Sequence, residues 1–581
     1  MQLKIETMLK KPFTLLFLIV GFVVASCGGD EKPEEQLVAK GNKMYGGELK
    51  FMSTEKIDNL FPIYTGDVYS SRIISQIFEP LLSIDPESGT VNPGIAKDWK
   101  LSSDARVYTF NIRKGVKFHE DACFKNKTRE VTAEDVKFSL DLACTDVKNN
   151  EVSYLIVDLI EGAKEHFDKS TGKIRNGGVK GIKVINKHTL QITLTEPYVG
   201  FEKIMTHHGL GVTPKEAYKK YGKNIGKHPV GTGPFSLESM SSSKISLKRN
   251  PKYWRKDEFG NRLPFLSKVT MTYVKNKRSE LKAFRESKVD LVLELPVEET
   301  ENILGTLEEA QRGLNVKHKV DAKKSLNMMY VAMQNQSEEF SDERVRHAFN
   351  LAIDRVTIVD KDLEGEGWPA INGFVADMEG YPSDKVRGHS CNPELAKSLM
   401  RQAGYANGNG FPTLDFYVNG IEGSAAHKSC VAIANQLKEN LNVNLNVILC
   451  SLDERRAAVA SGKAKIWRAG WIADYPDPSN FLAQFYGNNM KKQSTMVNDF
   501  NYSNEAFDAV YERALVETDS EKRMDLFVQC DQMVIQTAPV IPVMTDDHII
   551  IINARVRDFS ATQMETLDLT SVYIKEIRTK K

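Results

Sequence analysis

Past its first 27 residues, this 581-residue chain has no apolar run of transmembrane length, which argues against a later spanning segment. It has no surplus of either charge. Lys and Arg number 78 against 77 Asp and Glu, a formal net charge of +1, so neither nucleic acid nor a broad anionic surface is indicated as a partner. Cysteine is sparse and unpatterned. After Cys27 there remain Cys123, Cys144, Cys391, Cys430, Cys450 and Cys530, with no C-x-x-C spacing, so no zinc or other metal site is expected. Cys123 and Cys144 are one couple close in sequence, and connectivity stays open. The G-x-S-x-G, H-E-x-x-H and kinase signatures are missing. Two glycine-rich turns, GTGPF at 231–235 and NGNGFP at 407–412, are not followed by Gly-Lys-Ser/Thr and read as tight turns rather than phosphate cradles. The chain is therefore read as a non-enzyme without a cofactor, and it carries no fixed-period repeat.

What is present begins with a targeting pattern. Lys4, Lys10 and Lys11 precede an apolar run, Phe13 to Ala25, too short for a comfortable permanent span. Val24, Ala25 and Ser26 lead into Cys27, Gly28 and Gly29, a pattern that resembles a bacterial lipobox. Residues 1–27 then form a signal peptide, with Met1 and Met8 as alternative starts, and Cys27 becomes the lipidated N-terminus. A diacylated cysteine tethers a protein to a membrane without spanning it, so the functional part is expected outside the cytoplasm, in the periplasmic space or on the cell surface. Residues 28–45 are polar and Gly/Pro-punctuated and read as a flexible stalk.

The remainder, at 41% hydrophobic and 27% charged residues for the whole chain, has ordinary globular chemistry. Helix and strand patterns alternate, which gives a mixed α/β class. Thr132 and Asp135 make a capping box, Asn392 caps a helix with Pro393 at its first position and Gly404 after its last turn, and another helix runs from about Ser520 to Gln536. Strands are expected at 107–112, 189–194, 269–274, 414–418 and 549–552.

One segment carries ligand chemistry. RAGWIADYPDP, 468–478, places a guanidinium, an aromatic and a carboxylate within seven residues. Asp474 can accept from an ammonium, Arg468 can fork onto a carboxylate, and Trp471 offers an apolar wall with one donor, which together can grip a zwitterion. A solvated loop beside a core tryptophan is the plainer reading of these residues alone. His207 and His208 invite a metal reading, but neighbours on a strand point to opposite faces and make a poor bidentate pair. His119 beside Glu120 and Asp121 reads as a structural loop.

Several collinear segments together resemble one family, the extracellular solute-binding proteins of ABC importers, in the class that includes oligopeptide- and dipeptide-binding proteins. They are IFEPLL (77–82), YTFNIRKGVKFHED (108–121), PVGTGPF (229–235), LKRNPKYW (247–254), DERVRHAFNLAIDR (342–355), NPELAKSLMRQAGY (392–405) and RAGWIADYPDPSNF (468–481). The resemblance covers nearly all of residues 46–575. It implies a two-lobed, flytrap-like α/β fold. Lobe I would hold 46–325 and 540–575, with an accessory subdomain at about 79–201, and lobe II would hold 326–539. The family's tight His-Asp-Gly turn is replaced here by His119-Glu120-Asp121 and an insertion to Glu130.

Carried over position by position, the resemblance assigns Asp474 to a peptide's α-ammonium and Arg468 to the C-terminal carboxylate of short peptides. It assigns the backbone of Gly470 and Ile472 to the ligand's main chain and Trp471 to the wall of a side-chain pocket. Gly66 and Val68 align with a strand segment at the peptide's other edge. The implied partners are a peptide ligand, a permease and separate ATPase subunits, and the protein is expected to act as a monomer. The alternatives are another solute on the same fold (dipeptide, nickel chelate, haem, opine or oligosaccharide), a cell-surface hydrolase, or a sensor or chaperone role. His427 and Lys428 are read first as an exposed helix start and second as further carboxylate partners.

Overall fold

The computed structural model describes residues 37–85, 88–293, 318–420, 422–490 and 497–575. The leader and Cys27 lie outside the described residues. Among the described residues no helix is long and apolar enough to cross a membrane.

The second lobe is built on a six-stranded sheet in the order Trp368–Pro369, Val540–Thr545, Asn327–Met333, Ile466–Ile472, Leu414–Asn419, Leu445–Cys450. Its central strand reads NMMYVAM and is buried at every position. A continuous apolar run of this kind suits a strand covered on both faces. Met328, Tyr330 and Ala332 enter one core with Trp467 and Ala469, while Met329, Val331 and Met333 enter the other with Ile466.

The first lobe pairs a four-stranded sheet, Phe235–Met240, Lys244–Arg249, Lys268–Tyr273 and Glu48–Ser53, with a three-stranded one, Leu291–Val292, Asp547–Asn553 and His318–Lys324. Leu49, Phe51, Ile245, Val269, Leu291, Ile550 and Ile552 share a single core and bind the two sheets together. The accessory subdomain is an antiparallel sheet, Ala96–Leu101, Val107–Ile112, Thr189–Thr193 and Ile182–Asn186. Val107–Ile112 alternates half-buried and buried residues, the period of two expected of a sheet with one face on a core.

Local signals place their elements closely. Asp135 accepts from Thr132 N at 2.9 Å at the start of the helix Ala133–Ala143. Asn392 caps Pro393–Gln402, and Gly404 takes the left-handed conformation (φ 96°) just beyond its end. Long-range pairing departs from two expectations. Residues 37–45, expected as the end of a flexible stalk, form a hairpin, Leu37–Val38 with Met44–Tyr45. Tyr45 packs on Phe265 with ring centroids 5.1 Å apart, and Asn261 binds both backbone groups of Lys40. The return to the first lobe was expected at residue 540, yet Val540–Thr545 pairs with Asn327–Met333, and the chain changes sheets between Thr545 and Asp547.

The segment after Ile472 is fixed from beneath by a buried ion pair. Arg523, on the helix Ser520–Thr537, grips Asp477 with two bonds of 2.8 and 2.9 Å, and the two side chains are only 5% and 3% exposed. Asp477 also accepts from Ser479 N at 3.1 Å, so one carboxylate orders both the turn and its anchor. Removing one partner of such a pair strands the other charge in the interior. Arg523→Met is expected to destabilise the protein by about 3 kcal/mol, since Lys203, 3.6 Å from Asp477, remains to compensate in part. Urea denaturation of the variant and its parent measures the difference.

Candidate functional site

A cavity of about 1290 Å³ receives residues of both lobes, among them Gly66, Val68, Tyr154 and His207 from the first, and Arg468, Gly470, Trp471, Ile472 and Asp474 from the second. The strand Ile466–Ile472 supplies its floor. It pairs antiparallel with Asn327–Met333 along its whole length, but with Leu414–Asn419 only at Ile466 and Trp467. Beyond Trp467 one edge of the strand is therefore open.

The register shows which backbone groups line that edge. Ala473 N donates to Leu326 O at 2.8 Å and Gln334 N to Lys465 O at 2.9 Å. Odd-numbered residues thus turn their N–H and C=O toward Asn327–Met333, and the alternation of an antiparallel ladder turns those of Arg468, Gly470 and Ile472 toward the open edge. Gly470 is exposed, and a Cβ built on it meets nothing nearer than 3.6 Å. The chain itself does not demand a glycine here, so the absent side chain leaves room for something else to approach.

Asp474 is 25% exposed and already engaged. Tyr154 Oη donates to Oδ2 at 2.6 Å, Asn480 Nδ2 to the same oxygen at 3.2 Å, and His207 Nε2 lies 3.1 Å from Oδ1. Gly209 N donates to His207 Nδ1 at 3.0 Å, which leaves the ring hydrogen on Nε2, directed at the carboxylate. Burial alone would raise the Asp474 pKa. The electrostatic pull of His207 and the hydrogen bonds from His207, Tyr154 and Asn480 outweigh it and hold the pKa at about 2. Asp474 does not wait unpaired for a ligand, because the first lobe supplies two of its three partners. A carboxylate has about four lone-pair sites, so one remains, on Oδ1. Trp471 is half-buried, donates to Asn480 Oδ1 at 2.8 Å and meets Tyr154 edge-on at 6.3 Å.

The other expected residues also border the cavity, in part with different local structure. Gly66 and Val68 are not in a strand. Gly66 is irregular, and Val68 opens the helix Val68–Ile77, capped by Asp67. Arg456 of the second lobe donates to Gly66 O at 2.9 Å, and a Cβ on Gly66 would strike Glu151 at 2.9 Å. Arg468 has a buried Nε without a hydrogen-bond partner among the described residues. His207 and His208 are not on a strand either. They lead into a single 3-10 turn with rings stacked 4.7 Å apart, one bound to Asp474 and the other to Ser71 Oγ at 2.8 Å. Burial and then His207 lower the His208 pKa to about 3. His427 and Lys428, in the first turn of Ala425–Leu441, are half-buried and line the cavity. His119 is buried outside it, bound to Gly233 O at 2.9 Å.

Sequence reasoning did not find Tyr154, the role of His207, or Arg455. Nor did it find the carboxylates Glu366, Asp499 and Asp546, which also line the cavity. Burial first and then Asp546 raise the Glu366 pKa to about 7, and burial raises that of Asp499 to about 6. Burial and Glu565 push Asp546 upward as well. None of these residues sits in a motif. Each acquires its environment from segments remote in sequence.

Known proteins resemble this chain along most of its length. The family model described as bacterial extracellular solute-binding proteins, family 5 (middle), matches residues 90–493. Heme-binding protein A of Haemophilus influenzae is 26% identical over 547 residues, 92% of this chain and 94% of that protein. The periplasmic oligopeptide-binding protein OppA of Salmonella typhimurium is 26% identical over 536 residues, 89% and 88% respectively. A solved periplasmic binding protein, DppA of Helicobacter pylori in complex with the peptide STSA, shares the fold with a TM-score of 0.77 at 22% identity, covering 92% of this chain and 99% of that one.

The Asp474 environment generates a pH prediction. A depressed carboxylate stabilises the folded state fully above its unfolded pKa, near 3.8, and that contribution is lost as pH falls through about 2. His207→Ala removes the principal downward influence while burial remains. The Asp474 carboxyl should then titrate well above 2, so the variant is less stable at neutral pH and loses less of its remaining stability on acidification through the window between about 3.8 and 2. Carbon-13 NMR of the carboxyl, with acid unfolding of both proteins, checks the shift.

Proposed function

The chain belongs to the bacterial extracellular solute-binding proteins of family 5, and from that membership we propose that it is the peptide-binding component of an ABC importer, tethered outside the cytoplasm through Cys27. The observation that carries the reading is the open strand edge at 468–472, ending beside a carboxylate with one acceptor site left. A peptide of arbitrary sequence offers only its backbone and termini as constant features. The outward N–H and C=O groups of Gly470 and Ile472 suit the backbone, and the last lone pair of Asp474 suits the α-ammonium. Arg468 takes the terminal carboxylate, Trp471 walls a side-chain pocket, and Gly66 and Val68 border the opposite side. The relatives named for heme and for oligopeptides are equally distant at 26% identity, so the cleft has to discriminate. Its charged groups beside an unpaired strand favour a zwitterionic main chain over a flat apolar ring.

Lobe I then comprises residues 46–325 and 547–575 with the accessory subdomain, and lobe II comprises 326–546. Bonds that cross the cleft, such as Tyr154 to Asp474 and Arg456 to Gly66, belong to the closed form. Ligand favours that form to the extent that it binds it better than the open one. Delivery passes to a permease, and ATP hydrolysis belongs to separate subunits. Catalysis is not part of the reading, because the family and the relatives are named for binding.

Native mass spectrometry of the purified protein should show a series of co-purified peptide masses, whereas one discrete non-peptide mass would overturn the reading. In calorimetry with a free-amine tripeptide, Asp474→Ala should weaken binding by about 2 to 4 kcal/mol. Unchanged affinity would remove Asp474 from the ammonium site.

A further inference from the structure

Arg455 lies on the cavity wall with its charge unanswered. It sits on the helix Leu452–Ala460, which begins at a capping box between Ser451 and Glu454. The residue is 8% exposed and borders the cavity. Among the described residues its guanidinium makes no hydrogen bond, no carboxylate reaches within 4 Å, and its Nε is buried without a partner. Three other buried guanidiniums have oxygen partners. Arg523 forks onto Asp477, Arg355 binds Asn350 Oδ1 at 2.9 Å, and Arg346 binds Phe340 O and Thr537 O at 2.8 and 2.9 Å.

The surroundings sharpen the imbalance. Arg456 and Arg468 repel Arg455, and Asp499 and Tyr330 attract it. Tyr330 Oη is committed to Gln484 at 2.7 Å, and Arg456 to Gly66 O. Asp499 is itself too buried to compensate fully, since its pKa rises to about 6 despite Arg455. Asp499 is thus shared by Arg455 and Arg456, while Arg468 acts on Asp546, and a guanidinium cannot shed its proton to escape. Its planar fork is shaped for a carboxylate.

We infer that Arg455 is a carboxylate-anchoring residue of the cleft, which selects peptides that carry an acidic group within its reach. The inference rests on the peptide reading above. It assigns a specificity-determining residue distinct from Arg468, on a different element. The acidic group is an aspartate or glutamate side chain or the ligand's own C-terminus. The chemistry is the same, and the test separates them.

Calorimetry on the full chain and on Arg455→Gln and Arg455→Lys uses Ala-Glu-Ala, Ala-Gln-Ala and C-terminally amidated Ala-Gln-Ala. The unmodified protein should bind one carboxylate peptide at least about tenfold tighter than its amide counterpart, as for a hydrogen bond to a charged group. Arg455→Gln should bring that ratio close to one, and Arg455→Lys should restore part of it. Collapse of the Glu/Gln ratio identifies a side-chain carboxylate, and collapse of the acid/amide ratio at the terminus identifies the C-terminus. Ratios that are unchanged in Arg455→Gln overturn the assignment. If no peptide binds the unmodified protein, the peptide reading fails, and glutarate decides the residue separately. Millimolar glutarate should raise the Tm of the unmodified protein and leave Arg455→Gln unmoved, whereas equal shifts overturn the carboxylate role.

Discussion

A carboxylate withdrawn from water needs partners, and Asp474 takes two of its three from the other lobe. Tyr154 comes from the accessory subdomain and His207 from a turn that follows it, while Asn480 comes from the same loop as Asp474. On the proposed reading, closure brings these partners together, and one desolvation problem couples it to the readiness of the site. Asn480 extends the coupling. Its side-chain oxygen accepts from both Trp471 Nε1 and Asp474 N, and it fixes the aromatic wall and the charge relative to each other. Beneath them, the Asp477–Arg523 pair holds the turn on the helical layer. A shift of this turn would misplace the carboxylate, the tryptophan and the end of the open strand at once.

The sheet order completes the arrangement. Leu414–Asn419 follows Ile466–Ile472 for two residues and then diverges, so the strand is paired on one side and vacant on the other where it enters the cavity. Vacant strand edges are hazards on a protein surface because they invite any extended chain. Enclosure between lobes turns that hazard into selectivity, since only a chain short enough to enter can pair. On the peptide reading, backbone pairing supplies affinity that does not depend on sequence, and the charges at its ends set polarity and length.

Much of this was legible in the sequence where the cause is local. The capping box at Thr132, the cap at Asn392 and the alternation at 107–112 each depend on residues a few positions apart, and the structure places them closely. RAGWIADY was legible as one unit, and its residues Arg468 to Asp474 line the cavity together, because its strand and the start of its loop are contiguous. Tyr154 was not legible, because 320 residues separate it from Asp474. The strand assumed at His207 and His208 is absent for a related reason. Nothing local distinguishes a strand from a 3-10 turn there, and in the turn the rings stack side by side instead of pointing apart. The stalk was misjudged where composition looked like a linker, because Phe265 and Asn261, far along the chain, organise its last residues.

The charges of the cavity follow one logic. Glu366, Asp499 and Asp546 have raised pKa values because burial outweighs the nearest cations, while Arg455 is lowered by burial with no carboxylate in contact. Closed internal ion pairs would have left none of these groups strained. They remain apart because the space between them, about 1290 Å³, exceeds the usual size of a small-molecule pocket. Such a volume admits water along with a ligand, and bridging water lets polar walls accommodate varied side chains at little cost. Shape then discriminates weakly, and discrimination falls on fixed charges that water cannot neutralise. A site of this kind ranks ligands by where their charges lie along an extended backbone before it ranks them by bulk.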